Sequence, residues 1–374
     1  MNRRLKKIVI LVHSLTGGGA ERVAALWATG FADRGYDVYV LTSEAASSRD
    51  YKVSSNVKVV NIGLNSQSYI FRIILNILGI VRLVFLKNLK KELHSIKPDV
   101  CIGVLGRYAL DAYNLTRDMN TIIIQTEHNA YDRPDFIESR PEIMKMKFET
   151  NKIFDRVTVL TQADTKVPGA PTENMVVLPN PLTFEPVKEI PKKDNLILAI
   201  GRLDVWKVKG FDNLITAWGM VAKKYPEWTL QIAGTGARKS KKYLTGLVNK
   251  FGIENQVSFL GFNNNVINLY KKASIFVLSS RYEGFGMVLT EAMSQGCACI
   301  ACDFGGRQHE IITTDKEGIV CPGENIEELS AAIEKMITNA SYRESCRQPA
   351  IIRSSFYSLE NTMNRWESIL DNLK

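Results

Sequence analysis

Two glutamates, Glu283 and Glu291, occur in a segment whose residue types suit a ligand with phosphate and hydroxyl groups. An apolar strand pattern ends near Leu278, and a helix is predicted from about Gly286. Glu283 then lies in the loop at the carboxyl end of the strand, and Glu291 about one and a half turns into the helix. The free N–H groups at the helix start, those of Gly286, Met287 and Val288, suit a diphosphate.

Structural roles remain possible for both glutamates. Glu283 could be an acid that stabilises the helix start, and Glu291 a solvated charge on a helix face. A solvated face fits Glu291 poorly, because apolar residues surround it in the sequence: Met287, Val288, Leu289, Ala292 and Met293.

Basic residues follow the predicted strand 196–200. Arg202 comes directly after the strand end, with Lys207 and Lys209 a few residues further on. An arginine and a lysine that converge at a strand end can neutralise a diphosphate leaving group. The alternative is an exposed basic turn without a ligand.

Glycine loops follow a strand in each half of the chain. Gly17 and Gly18 belong to a run that opens a helix, where phosphate can approach the backbone N–H groups. A dinucleotide-binding loop needs a third glycine, but position 22 is Arg, and the loop 234–236 lacks its third glycine too. Glu44 is a possible candidate for the acid that such a site requires. Each loop is weak evidence alone, and a tight turn without a ligand is the alternative.

His128 lies in Glu-His-Asn, directly after the apolar run 121–126. It is therefore expected at a strand end, on the same side of its sheet as other ligand-binding loops. A single histidine is as often structural as catalytic, so both roles stay open.

Strand and helix patterns alternate along the whole chain. This predicts an α/β protein with two parallel sheets, covered by helices on both faces. A proline-rich, charged stretch over 179–194 predicts a linker. We expect an N-terminal domain over 1–182, a C-terminal domain over 183–350, and a C-terminal helix over 351–374 that could cross back to the first domain.

Composition narrows the class of protein. The 374 residues are 45% hydrophobic and 23% charged, which is typical of a soluble globular chain. No signal peptide and no apolar run long enough to span a bilayer is recognised. The six irregularly spaced cysteines predict reduced thiols in a cytoplasmic protein, and Cys297, Cys299 and Cys302 a buried strand rather than a metal site.

The net charge of +9 is concentrated in the first hundred residues. Such an excess predicts an anionic ligand or surface. Nucleic acid is not expected, because no nucleic-acid-binding motif is recognised.

Taken together, these segments resemble the GT-B glycosyltransferases of family GT4, a large retaining group. The resemblance covers nearly the whole chain, and its features follow one another in order: Gly-Gly-Gly-Ala-Glu-Arg (17–22), Lys-Pro-Asp-Val (97–100), Glu-His-Asn (127–129), Pro-Asn-Pro (179–181), Gly-Arg-Leu…Lys-Gly (201–210), Glu-x7-Glu (283–291) and Glu-Ala-Met-Ser-Gln-Gly (291–296). It implies a GT-B fold of two facing, doubly wound Rossmann-like domains with an interdomain cleft.

The resemblance also implies roles. Arg202 and Lys209 would bind the diphosphate of a nucleotide sugar, UDP-linked in our interpretation. Glu283 would contact the sugar hydroxyls, and Glu291 the ribose hydroxyls. Gly18, within the Gly17–Gly19 loop, would approach the diphosphate, and His128 the sugar near the reacting carbon. The backbone of Phe285, Gly286, Met287 and Val288 would meet the sugar and phosphate. The 201–210 spacing is longer than the common form, so Lys207 competes with Lys209.

The predicted reaction moves a hexose or N-acetylhexosamine to a saccharide acceptor with retention of configuration. Growing negative charge on the diphosphate would be stabilised by Arg202, Lys209 and the helix start near Gly286. Glu283 is expected to orient the donor rather than act as a covalent nucleophile. Because the sequence contains no Asp-x-Asp pair, neither a metal nor another cofactor is expected.

A basic, apolar helix pattern over 68–97 suggests contact with an anionic membrane. Its candidate contacts to membrane or acceptor are Arg72, Arg82, Lys87, Lys90 and Lys91. The acceptor would then be a lipid-linked saccharide at the inner face of the plasma membrane, used in cell-surface glycan or polysaccharide assembly. A helix buried within the domain is the alternative.

Two other functions compete with this interpretation. A sugar-nucleotide epimerase or dehydrogenase could use the same architecture, but its glycine motif is incomplete. An inactive sugar-nucleotide-binding or membrane-scaffold protein is the other, and the intact set of Arg202, Lys209, Glu283 and Glu291 argues against it.

We predict that activity survives EDTA, because no carboxylate pair is placed in the sequence to bridge a metal to the diphosphate. Release of the nucleoside diphosphate, measured with and without EDTA, should give equal rates. Complete loss that Mg²⁺ or Mn²⁺ restores would contradict this prediction.

Overall fold

A computed structural model of the protein describes residues 6–64, 77, 79–132, 141–263 and 265–373. The chain divides into two compact units, which we describe separately. The first contains residues up to Pro181 together with Leu359–Lys374, and the second contains Leu182–Ser358.

The described part of the first unit contains a parallel sheet of seven strands in the order β3-β2-β1-β4-β5-β6-β7. Its strands are β1 (Lys7–Val12), β2 (Asp37–Thr42), β3 (Lys58–Asn61), β4 (Val100–Val104), β5 (Ile122–Thr126), β6 (Arg156–Val159) and β7 (Met175–Val177). Its helices are α1 (Gly19–Asp33), α2 (Ile80–Ile96), α3 (Gly106–Leu115), α4 (Pro141–Asn151), α5 (Gln162–Thr165), a 3₁₀ turn (Thr172–Asn174) and α13 (Leu359–Asp371).

The described part of the second unit contains a parallel sheet of six strands in the order β10-β9-β8-β11-β12-β13. The strands are β8 (Asp194–Ile200), β9 (Thr229–Ala233), β10 (Val257–Gly261), β11 (Ala273–Leu278), β12 (Ala298–Cys302) and β13 (Ile319–Cys321). The helices are α6 (Trp206–Lys209), α7 (Phe211–Val221), α8 (Arg238–Phe251), α9 (Val266–Lys272), α10 (Met287–Ser294), α11 (Ile326–Thr338) and α12 (Ala340–Ser355). Short 3₁₀ turns occupy Leu203–Val205, Ala222–Lys224, Glu254–Gln256 and Gln308–Glu310.

Buried apolar runs explain why the strands form. In β8 the side chains of Leu196, Ile197, Leu198 and Ala199 are at most 5% exposed, as expected for a strand covered by helices on both faces. The strands predicted over 121–126, over 196–200 and up to Leu278 are present, with ends shifted by at most two residues. The predicted α/β class with two parallel sheets is therefore confirmed.

Each sheet has a point where the strand order reverses. In the second unit β8 pairs with both β9 and β11, and in the first unit β1 pairs with both β2 and β4. In open α/β sheets, ligands bind beyond the carboxyl ends of the strands at such a point. The loops after β8 and β11, and those after β1 and β4, are therefore the candidate sites.

One element differs from the sequence prediction. The pattern over 68–97 was expected to form one helix, but Gly79 has φ +71 and interrupts it, so helix α2 begins at Ile80. A residue with positive φ cannot continue a right-handed helix. Arg72, one of the predicted membrane contacts, lies outside the described residues.

The C-terminal helix α13 packs on helix α1 within the first unit. The ring of Trp366 lies edge-on to that of Trp27, with centroids 5.1 Å apart, and both side chains are buried. A Cβ atom on Gly30 would lie 2.7 Å from the Met363 side chain, so glycine allows the close approach of the helices. An ion pair between Arg34 and Glu367, 2.6 Å long, borders this contact.

We predict that Trp366→Ala lowers the free energy of unfolding by roughly 3–5 kcal/mol, because it leaves a cavity against Trp27. Urea denaturation measures the change. Ser368→Ala is the matched control on the exposed side of α13 and should change stability by less than about 0.5 kcal/mol. Equal stability of the two variants would show that α13 contributes little to the first unit.

Candidate functional site

In the second unit, the turn 206–210 is fixed against the loop 279–283. Three hydrogen bonds reach main-chain carbonyls of the turn: Ser279 Oγ to Lys209 (2.9 Å), Arg281 N to Val208 (2.9 Å) and Arg281 Nη1 to Lys207 (2.6 Å). Arg281 also donates to both carboxylate oxygens of Asp212, at 2.7 and 2.9 Å. These contacts hold together the segments that follow the neighbouring strands β8 and β11.

Gly210 makes this approach possible. Its φ is +61, and a Cβ atom there would lie 1.9 Å from the Ser279 carbonyl oxygen. Any larger residue would therefore push the turn away from the end of β11. The glycine of the Lys-Gly pair is required by packing as well as by backbone conformation.

The side chains of Lys209 and Glu283 meet as a result. Lys209 Nζ lies 2.5 Å from Glu283 Oε1, and Ser280 Oγ donates to the same oxygen at 2.8 Å. The side chains are 23% and 13% exposed, respectively, so both remain in contact with solvent. A cation and an anion thus lie side by side at the reversal point of the sheet.

The other two predicted cations differ from Lys209. Arg202 and Lys207 are exposed, and among the described residues no carboxylate is paired with either. Arg202 follows β8 directly, as predicted. Of the two competing lysines, Lys209 is the one whose ammonium group meets a predicted site residue.

Glu291 is buried, with 4% of its surface exposed. Its Oε1 accepts a hydrogen bond from Thr183 Oγ1 at 2.5 Å, and its Oε2 one from the hydroxyl of Tyr270 at 2.8 Å. The carboxylate is thus surrounded by hydroxyl donors and is not the solvated charge that was the alternative. Thr183 and Tyr270 could not be predicted as partners of Glu291, since neither lies in a recognised motif.

Helix α10 begins as predicted, with Gly286 as its N-cap at φ +86. The ring of Phe285 is buried and packs edge-on against Tyr357, with centroids 5.1 Å apart. Met287 and Val288 are partly exposed. The buried ring of Phe285 therefore anchors the loop. The first two residues of the helix, Met287 and Val288, remain accessible to solvent beside Glu283.

The second glycine pair, Gly234 and Gly236, has a packing function. A Cβ atom on Gly234 would lie 1.8 Å from the Gly201 carbonyl oxygen, and one on Gly236 2.5 Å from Leu203 Cβ. Leu203 N also donates to Thr235 O at 2.7 Å. The pair lets the loop after β9 pack closely on the loop that carries Arg202.

In the first unit, the glycine loop precedes α1 and is exposed. Gly17 has φ +109 with open space where a Cβ atom would lie, and Gly18 is the N-cap. The Gly18 N–H donates to Glu21 Oε2 at 3.1 Å. The N–H group of Gly18, predicted from the sequence to bind phosphate, therefore already donates to a carboxylate.

His128 follows β5 and is neutral at pH 7, because burial lowers its pKa to about 4. Asn180 offsets part of this effect. The His128 Nε2 lies 3.0 Å from Thr126 Oγ1, and that hydroxyl lies 3.3 Å from the Gly103 carbonyl, which can only accept. The Thr126 hydroxyl can donate either to the Gly103 carbonyl or to Nε2, so both neutral tautomers of the ring are compatible with these contacts. Nδ1 is also turned away from solvent, and among the described residues it has no hydrogen bond of standard geometry.

A polar cluster that the sequence did not predict lies at the reversal point of the first sheet. His13 Nδ1 lies 2.8 Å from Ser43 Oγ, which lies 3.1 Å from the hydroxyl of Tyr108. His13 Nε2 lies 3.6 Å from Glu44 Oε1. The backbone of Leu105 nearby has φ +86, an unusual value for leucine. Glu44 was considered only as a dinucleotide-binding acid, and its partners come from segments distant in sequence.

Helix α2 has one buried and one exposed side. Phe85, Leu89, Leu93 and Ile96 belong to the core, and Arg82 donates both guanidinium ends to the buried Asp111. Leu83 is 66% exposed, and Lys87, Lys90, Lys91 and Ser95 are exposed as well. Arg82 thus has a structural partner, whereas the three lysines face solvent. In the described part of the chain, no helix is both long and apolar enough to cross a bilayer.

All six cysteines are buried and free. Burial raises the pKa of Cys302 to about 12 and also raises the pKa of Cys297 and Cys299. Protonated thiols are poor metal ligands. Within the described residues, no cluster of three or more His, Cys, Asp and Glu side chains could hold a metal ion.

Comparison with protein families assigns both units. Residues 17–182 match the family model described as Glycosyltransferase Family 4, and residues 183–353 match that described as Glycosyl transferases group 1. The chain belongs to the GT4-type glycosyltransferases.

Curated relatives of this glycosyltransferase extend over nearly its whole length. An uncharacterized glycosyltransferase of Haemophilus influenzae is 28% identical over 98% of this chain and 100% of its own length. The amylovoran biosynthesis glycosyltransferase AmsD of Erwinia amylovora is 25% identical, with 98% and 99% covered. An α-1,4-N-acetyl-D-galactosaminyltransferase of Campylobacter jejuni, named for a PP-undecaprenol-linked saccharide, is 24% identical, with 99% of each chain covered.

Solved structures share the fold of this glycosyltransferase. The sucrose-phosphate synthase of Thermosynechococcus elongatus has a TM-score of 0.81 at 19% identity and covers 98% of this chain and 99% of its own. Anabaena HepE in complex with UDP has a TM-score of 0.76 at 17% identity, with 98% and 100% covered. The predicted GT-B fold is thereby confirmed. Because both family models are glycosyltransferases, the alternative functions of dehydrogenase and epimerase are not supported.

We predict a pH dependence of stability that originates at His128. Between pH 6.5 and pH 4, the unfolded chain binds a proton at this ring and the folded chain does not, so the free energy of unfolding falls as the pH falls. This effect should be absent in His128→Gln. Relative to the variant, the wild type should lose roughly 2 kcal/mol between pH 7 and pH 4.5 in urea titrations. A difference that does not change with pH would contradict the assignment.

Proposed function

We propose that this protein is a retaining glycosyltransferase whose second unit binds a UDP-sugar. It would transfer a hexose or N-acetylhexosamine to a lipid-linked saccharide in bacterial surface-glycan assembly. The observation that carries the proposal is the contact of Lys209 with Glu283 at the reversal point of the sheet, beside the start of helix α10. Such a point is where α/β sheets bind nucleotides, and a helix start favours phosphate.

The ion pair suggests how donor binding proceeds. Lys209 Nζ and Glu283 Oε1 satisfy each other at 2.5 Å. A diphosphate would attract the ammonium group, and sugar hydroxyls would donate to the carboxylate that it leaves. Lys209 would then exchange Glu283 for the diphosphate, and Glu283 would exchange Lys209 for sugar hydroxyls. Neither charged side chain would be left without a partner in this partly buried site. Ser280 retains its hydrogen bond to Glu283 and would hold the carboxylate in place.

Glu291 is proposed to hold the ribose. Its carboxylate oxygens accept hydrogen bonds from the hydroxyls of Thr183 and Tyr270, and a carboxylate is an acceptor that ribose hydroxyls can also use. Thr183 and Tyr270 would then position the carboxylate before the nucleotide arrives.

The chemical step requires stabilisation of a departing diphosphate. Arg202 and Lys209 supply positive charge, and the partly exposed residues 287 and 288 lie at the positive end of the α10 dipole. These groups would perform the task that a bridging metal performs elsewhere. Retention follows from the resemblance to GT4 enzymes, with Glu283 orienting the donor. The donor contacts predicted for Gly17, Gly18 and His128 on the first unit stay predictions.

The lipid-linked acceptor is supported by the relatives and by helix α2. AmsD is named for amylovoran biosynthesis, and the Campylobacter relative for a substrate linked to PP-undecaprenol. Leu83, Lys87, Lys90 and Lys91 give α2 an exposed side that suits the cytoplasmic face of an anionic membrane. On the first unit, the cluster of His13, Glu44 and Tyr108 offers hydrogen-bonding groups to an acceptor sugar.

The test compares Lys209→Ala, Arg202→Ala and Lys207→Ala. Loss of a group that stabilises the diphosphate costs roughly 3 kcal/mol, so the first two variants should lose about a hundredfold or more in kcat/KM. Lys207→Ala is the matched control, an exposed lysine two residues from Lys209, and should stay within a few-fold of wild type. UDP release from a panel of UDP- and GDP-sugars measures turnover, and circular dichroism checks folding. Near-normal turnover of the Lys209 and Arg202 variants would contradict the proposal.

A further inference from the structure

Helix α8 in the second unit begins with four cations among its first five residues. They are Arg238, Lys239, Lys241 and Lys242, and all four are exposed. The helix contains no acidic residue, and among the described residues no carboxylate is paired with these side chains. The buried side of α8 is formed by Leu244 and Val248, so the cations are free to face an external partner.

The position of these charges is unfavourable in the isolated protein. The start of a helix carries the positive end of its dipole, where acidic side chains are stabilising and basic ones are not. Four neighbouring cations also repel one another. Asp204 Oδ1 accepts a hydrogen bond from Ala237 N at 2.5 Å and offsets part of the dipole cost, but the mutual repulsion of the four cations turns into attraction only when an anionic surface faces them. The arrangement therefore points to an anionic partner rather than to fold stability.

Exposed aromatic rings lie beside the cations. Tyr243 is 46% exposed and stacks on Trp206, with centroids 4.3 Å apart. Phe262 is 72% exposed and directly follows β10. Gly234 N donates to Gly261 O at 2.8 Å, which brings Phe262 close to the loop that leads into α8. Aromatic rings next to Lys and Arg are typical of surfaces that insert into the headgroup region of a membrane.

We propose that the start of α8, with Tyr243 and Phe262, docks the second unit on an anionic phospholipid membrane. The cations lie on the outward side of a helix, whereas a soluble nucleotide needs a concave site that surrounds it. A planar surface of phosphate headgroups complements the charge and accepts the exposed rings at the same time. This contact is separate from α2 on the first unit and does not depend on the proposed donor.

The experiment is flotation of the full-length protein with two kinds of vesicle, phosphatidylcholine alone and phosphatidylcholine mixed with phosphatidylglycerol. One variant changes Arg238, Lys239 and Lys242 together to Gln, and a second is Phe262→Ser. The matched control removes the same charge at the opposite edge of the second sheet, where three exposed lysines lie close before strands: Lys192, Lys272 and Lys316. A third arm changes Lys87, Lys90 and Lys91 of α2 to Gln.

We expect the α8 charge variant to lose about a hundredfold in partitioning onto the anionic vesicles, since each cation adds roughly a fivefold attraction. Phe262→Ser should weaken binding as well, and the control should behave as wild type. Calorimetry should show unchanged affinity of the α8 variant for UDP. Wild-type flotation by the α8 variant would overturn the proposal, and so would a loss of UDP affinity without a loss of flotation. If only the α2 variant loses binding, the α8 proposal falls and the α2 proposal stands.

Discussion

The candidate donor site depends on one contact, that of the turn 206–210 with the loop 279–283. Arg281 is central to it, because its guanidinium group joins Asp212 on α7 to the carbonyl of Lys207. Gly210 permits the approach, and Ser279 closes it with a hydrogen bond to Lys209. Without these interactions, Lys209 and Glu283 would belong to two independent loops. The site is therefore a property of how β8 and β11 pair, and its precision comes from residues that need not touch a ligand.

The same contact explains the electrostatics of the second unit. Asp212 raises the pKa of Arg281 above its ordinary value, so this guanidinium stays charged and its hydrogen bonds to the turn are retained. Lys209 and Glu283 balance each other's charge, while Arg202 is exposed on the adjacent loop. The site thus combines one cation held by an internal partner with one that faces solvent. A donor diphosphate would have to compete with Glu283 for Lys209, whereas it could approach Arg202 directly.

Much of the fold could be predicted from sequence because buried parallel strands are continuous apolar runs. β1, β8, β11 and β12 are recognisable in this way, and Gly286 marks the helix start beside Glu283. The site was harder, because hydrogen-bond partners come from segments far apart in the chain. Thr183 and Tyr270 around Glu291, and Asp212 around Arg281, carry no local signal.

Predictions from local patterns failed or stayed incomplete where tertiary contacts decide the outcome. The helix expected over 68–97 is interrupted at Gly79, although its periodicity continues. The spacing of basic residues along the chain predicts that Arg82 is a surface cation. In the structure, however, Arg82 pairs with Asp111 of α3. The Thr126 hydroxyl beside His128 also contacts the Gly103 carbonyl, and these two residues become neighbours only when β4 and β5 pair.

The central claim, that Lys209 exchanges Glu283 for a donor diphosphate, is tested most directly by a crystal structure of the protein with UDP bound. The account predicts a diphosphate oxygen within hydrogen-bonding distance of Lys209 Nζ, with Glu283 separated from the ammonium group and the ribose hydroxyls on Glu291. A UDP molecule bound elsewhere, with the 2.5 Å contact between Lys209 and Glu283 intact, would contradict it.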